Sequence, residues 1–117
     1  MHPRIKSFIY AMNGLKVLFT EEPHARFHLL AAIVVIIAGI YFDISIVEWI
    51  ILVICISSVL AAESFNTAIE NLGNAISQDQ NSSIGNAKDV AAAGVLIISF
   101  AAAIVGGIIF IPKIFQL

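Results

Sequence analysis

The sequence predicts an all-α integral membrane protein, an N-terminal interfacial amphipathic helix followed by three transmembrane helices. Three observations carry that expectation. The 117 residues are 60% hydrophobic and only 12% charged, with a mean hydropathy of +0.98; a soluble domain this small has too little interior to bury so much apolar surface. The stretch Val90–Ile111 runs for 22 residues without a charge, enough for a hydrocarbon core of about 30 Å. Two further runs, Leu29–Phe42 and Trp49–Ala62, have helix-compatible polar flanks that extend each to spanning length.

In residues 4–19, Ile5, Phe8, Ile9, Met12, Leu15 and Phe19 recur at helical spacing, with Arg4, Lys6, Asn13 and Lys16 elsewhere. Cationic residues on a short amphipathic helix point to one lying in the membrane interface. Charge alternates with apolar residues here, so no cleavable signal peptide is expected. Thr20-Glu21-Glu22-Pro23 reads as a break and a new helix start, with acids in its first turn and an early proline. The spans are then expected at about 24–43, 46–75 and 86–112, within one domain covering residues 1–117. A tight connection, Asp43–Glu48, joins the first two, edged by Tyr41, Phe42 and Trp49 in the manner of an interfacial aromatic belt. Residues 77–86 form a polar loop. Ser99, Ala103 and Gly107, spaced four apart, give the last span a small-residue face for close helix packing.

Orientation follows from charge. Arg4, Lys6, Lys16, Arg26 and Lys88 fall on one side and Lys113 on the other. The positive-inside rule puts the N-terminus and the 77–86 loop in the cytoplasm and the C-terminus outside. Lys113 reads as a snorkelling end residue, and Arg4 and Lys6 as anchors to anionic lipid. A net charge of −2 with no basic stripe gives no sign of nucleic acid. Cys55, the single cysteine, has no intrachain partner and reads as packing. His2 and His24 read as solvated, and no spacing makes a His/Cys metal site.

The chain is organised around Ala61–Glu70, where two carboxylates and an amide follow directly on an apolar run. At 100° per residue, Glu63, Asn66, Glu70 and Asn74 fall at about 0°, 300°, 340° and 20°, one narrow stripe of oxygen ligands. Ionisable groups at membrane depth are costly and mark functional sites. Glu63 lies about 21 Å along the helix from Trp49 and Glu70 about 32 Å, so Glu63 sits just inside the cytoplasmic boundary and Glu70 at the water. Glu22, Arg26, Lys88 and Asp89 reach the same level. Glu22, Glu70 and Asp89 suit a hard divalent cation, which takes oxygen ligands and keeps some waters. Lys88 and Arg26 suit phosphate oxygens. Glu63, the least solvated, suits proton acceptance. Together they suit phosphoryl transfer to a lipid hydroxyl. No Walker A or Gly-x-Gly-x-x-Gly pattern occurs, so any ATP site must be built from these helices.

These residues resemble a known family. Ala62–Glu70, Ala87–Ile97 and the supporting Glu22–His28 segment are similar to the prokaryotic diacylglycerol kinases, small three-span lipid kinases that include undecaprenol kinases. The resemblance implies a homotrimer in the bacterial cytoplasmic (inner) membrane, with active sites between protomers near the cytoplasmic face, that uses ATP and Mg²⁺. By position it implies Glu63 as catalytic base and Glu22 and Glu70 as metal ligands. Asn66, Lys88 and Asp89, with Asn74, fall around the ATP phosphates, and Arg26 and His28 beside the lipid acceptor. Asn74 departs from the acid common in the family, and His28, where some relatives have an acid, is closer to the undecaprenol kinase branch. The competing readings are a helical subunit or proton-conducting oligomer that uses Glu63, and a peripheral assembly factor. Neither has need of the Lys88-Asp89 pair beside a stripe of oxygen ligands.

Overall fold

Four helices account for almost the whole computed structural model, which describes residues 2–77 and 79–117: α1 (Pro3–Glu21), α2 (Pro23–Tyr41), α3 (Ile46–Ile76) and α4 (Ser82–Ile114). Met1, and Gln78 of the expected polar loop, lie outside the described residues.

A single extended residue, Glu22, separates α1 from α2. Pro23 is the cause, because its ring disfavours helical backbone at the residue before it. The Glu22 carboxylate accepts the His24 N–H at 3.1 Å and so caps α2. The acids therefore do not occupy the first turn of the new helix: Glu21 closes α1, and Glu22 is the cap itself. Thr20 turns its hydroxyl back to the Lys16 carbonyl, 2.7 Å away. Arg26 reaches across the break, donating from Nη1 to the carbonyls of Phe19 (3.1 Å) and Thr20 (2.9 Å). These are among the orphan acceptors that any helix end leaves.

The turn after α2 is a Schellman motif. Ile44 N–H donates to the Gly39 carbonyl and Asp43 N–H to that of Ile40. Asp43 takes the left-handed conformation this requires, with φ of 52°, a region that Asp tolerates better than most residues. Trp49 lies directly on Gly39, where a Cβ would come within 2.7 Å of the indole. A reciprocal capping box starts α3: Ser45 Oγ accepts the Glu48 N–H, and Glu48 Oε1 accepts the Ser45 N–H. The second Glu48 oxygen accepts from Lys113 Nζ at 2.7 Å, so Lys113 ties the end of α4 to the start of α3 instead of snorkelling alone. Ile44, Leu52 and Ile109 form the buried core at this end, with Phe42, Trp49 and Phe110 against it.

At the opposite end α4 begins earlier than the composition of 77–86 suggests. Asn81 Oδ1 accepts the N–H groups of Ser83 and Ile84, at 3.0 and 3.2 Å, and starts the helix at Ser82. The polar segment holds a cap as well as a loop.

Helices α2, α3 and α4 are each long and apolar enough to cross a membrane. Their large side chains mostly face outward, as at Ile37, Ile54 and Ile97, the arrangement expected against lipid or another chain. With 31 residues, α3 is about 46 Å long and outruns a hydrocarbon core of about 30 Å. On α1 only Leu18 is buried, and Ile5, Phe8, Ile9, Met12 and Leu15 are exposed.

Candidate active site

The site is built along one face of α3. Glu63 is its deepest member, 2% exposed and the largest fully buried side chain among the described residues. His28 of α2 brings Nε2 to 3.2 Å from Glu63 Oε1. On α2 the residues a turn before and a turn after His28, on the same face, are small and buried: Ala25 and Ala32. His24 lies one turn before His28 on α2, and Glu70 two turns beyond Glu63 on α3. The start of α2 and the middle of α3 thus share one polar centre.

One turn along, Asn66 is buried and donates from Nδ2 to Glu70 Oε1 at 3.2 Å. Its own Oδ1 is buried with no protein partner, as is Thr67 Oγ1. Buried oxygens in this condition are uncommon, because an unpaired acceptor keeps its full desolvation cost. Further along still, Asn74 Oδ1 accepts from Lys88 Nζ, joining the stripe to α4. Gly73 allows this: a Cβ there would stand 2.9 Å from Ile84 Cγ2 and 3.1 Å from Lys88 Cε. Asp89 is exposed on the next position of α4.

The structure therefore joins His28 to Glu63, Asn66 to Glu70 and Asn74 to Lys88. Arg26 is drawn to the end of α1. Gly73 and Thr67 were not singled out from sequence. A glycine within a helical pattern was the available signal for Gly73; Thr67 carried none, since a threonine on an apolar helix is unremarkable.

Among the described residues no three His, Cys, Asp or Glu side chains come close enough to enclose a metal ion. Glu22, Glu70 and Asp89 do not form a closed cage. The donors present fit a different mode. Glu70 and Glu22 each use one oxygen in the bonds above, and the Asn66 oxygen beside Glu70 has no protein partner. One or two carboxylates with room for waters and substrate phosphates is how Mg²⁺ is commonly held.

Two recesses flank this stripe. An apolar cavity of about 320 Å³ runs between α2, α3 and α4, lined by Phe27, His28, Ala32, Val59 and Ala103 among others. A polar recess of about 670 Å³ lies beside the start of α4, lined by residues that include Asn74, Ser77, Asn81, Gly85 and Lys88.

The model of the prokaryotic diacylglycerol kinase family matches residues 9–110. This chain belongs to that family. It is 35% identical over 109 residues to the undecaprenol kinase of Bacillus subtilis, covering 93% of this chain and 89% of that protein. A Synechocystis diacylglycerol kinase is 30% identical over 112 residues, covering 95% of this chain and 64% of that protein. The Escherichia coli diacylglycerol kinase is 27% identical over 93 residues, covering 80% and 76%. The family match includes every residue of the stripe, the Glu22–His28 segment and the Lys88-Asp89 pair.

Proposed function

We propose that this protein is a lipid kinase that transfers the γ-phosphate of ATP to the hydroxyl of a membrane lipid alcohol, diacylglycerol or undecaprenol, at the cytoplasmic face of the bacterial inner membrane. The observation that carries this reading is the buried Glu63 carboxyl, in contact with a histidine that lines an apolar recess and followed along α3 by a run of phosphate- and cation-suited groups. Such a layout meets a lipid from one side and a nucleotide from the other. The names of the relatives support the same reaction.

In this reading Glu63 accepts the proton of the lipid hydroxyl as its oxygen attacks phosphorus, since an alcohol is a weak nucleophile until a base takes its proton. Lys88 neutralises phosphate charge as a cation, and Asn66 and Asn74 hold phosphate oxygens through amide N–H groups. Asp89 orients the nucleotide from the start of α4, and Arg26 and His28 flank the acceptor. Glu22 and Glu70 would hold Mg²⁺, which when bound neutralises charge on the phosphates and aligns them. The protein acts as a homotrimer, with α1 in the interface, the N-terminus cytoplasmic and the C-terminus outside. The five-to-one division of Lys and Arg supports that orientation, and the outward-facing apolar residues of the spans support further helix packing.

The test is direct. Purified protein in mixed micelles, given radiolabelled ATP and Mg²⁺, should phosphorylate at least one of a panel of lipid alcohols that includes diacylglycerol and undecaprenol. Hydrolysis of ATP without transfer to any of them would overturn the proposal.

A further inference from the structure

We infer that His28 is a positioning residue for Glu63, holding one carboxylate oxygen through Nε2–H so that the other faces the lipid hydroxyl. The inference rests on the reading of Glu63 as the base and names the group that aims it.

Glu63 is 2% exposed, so water cannot orient its carboxyl, and His28 Nε2 lies 3.2 Å from its Oε1. A contact of that length between an imidazole nitrogen and a carboxylate oxygen needs a proton on the nitrogen, which makes His28 the donor. Neutral or cationic, the ring can serve. Its position is imposed from several sides. Ala25 and Ala32, small and buried on the same face of α2 as His28, leave room for a close approach to α3, and the Phe27 ring stands edge-on to the imidazole at 5.7 Å. His28 also lines the apolar recess, so the residue that holds the carboxyl borders the space suited to the acceptor's chain. A carboxyl free to turn about its last torsion would spend much of its time misaimed. A misplacement of about 1 Å at a reacting group can cost about 10²-fold in rate.

Chain length supplies the test. A glutamine amide nitrogen lies about as far along its side chain as imidazole Nε2, whereas an asparagine amide nitrogen corresponds to Nδ1 and falls short of Glu63. His28→Ala, His28→Asn and His28→Gln are compared in mixed micelles for kcat, KM for the lipid and KM for Mg-ATP, with Glu63→Gln alongside. The expected result is kcat lower by about 10–100-fold in the Ala and Asn variants, largely restored in the Gln variant, with KM for Mg-ATP unchanged throughout. Should His28→Ala fail to fold, the Asn and Gln pair decides. Equal kcat in all three variants and the wild type overturns the inference, and so does a change confined to KM for the lipid, which would make His28 an acceptor contact only. If Glu63→Gln retains full turnover, the base assignment fails and this inference falls with it. If Glu63→Gln is inactive while the His28 variants are normal, only the positioning role is lost.

Discussion

Glu63→Gln separates proton acceptance from every other contribution this side chain makes. The replacement has nearly the same volume, so no cavity opens at a position that is 2% exposed. It exchanges a charge-assisted contact with His28 for a neutral one, and charged hydrogen bonds contribute about 1.5–3 kcal/mol. It also removes the cost of keeping a charge away from water, which offsets that loss. Net stability should therefore change little. The chemical step is different, because an amide cannot take the proton. Loss of a general base typically costs about 10²–10⁴-fold in rate, equivalent to about 3–5 kcal/mol on the barrier at 1.36 kcal/mol per tenfold. The assay pairs the initial rate of lipid phosphorylation at saturating Mg-ATP and lipid with nucleotide affinity measured on the same material. The expected outcome is kcat reduced within that range and Kd for the nucleotide nearly unchanged. Unchanged kcat would refute the base assignment. Lost nucleotide binding with normal turnover at saturation would instead make Glu63 a ligand.

Three further outcomes are expected. Glu22→Gln and Glu70→Gln should each raise the Mg²⁺ concentration needed for half-maximal activity, and wild-type metal titrations for both would refute the ligand reading. Gly73→Ala places a Cβ 2.9 Å from Ile84 Cγ2 and 3.1 Å from Lys88 Cε; overpacking of this kind costs about 1–3 kcal/mol. Thermal unfolding should fall accordingly and KM for ATP should rise as Lys88 is displaced, whereas an unchanged KM would mean that Lys88 does not serve the nucleotide. In a Cys55→Ala background, single cysteines at Gln80 and Gln116 should be labelled by an impermeant reagent from opposite faces of the membrane. Labelling of both from one face would exclude the topology.

Hydropathy and local chemistry were sufficient for much of this protein. A helix in hydrocarbon must satisfy its own backbone hydrogen bonds, so long apolar stretches have few conformations open to them, and α2, α3 and α4 could be expected from composition alone. The stripe from Glu63 to Asn74 was equally accessible, because helical periodicity decides which residues of one helix share a face. Pro23 marked the break before α2 for a similarly local reason. What sequence could not decide was how each helix is rotated against its neighbours and how closely it approaches them. That His28 meets Glu63 depends on the small residues of α2 closing onto α3. That Lys88 reaches Asn74 depends on the absence of a side chain at Gly73, and Lys113 finds Glu48 from 65 positions away because α3 and α4 run antiparallel side by side. Arg26, which on charge alone suits a phosphate, also meets the bare carbonyls of α1 through Nη1 because of the geometry of the break. These contacts join side chains on different helices, and only the packed tertiary structure sets the distances between them.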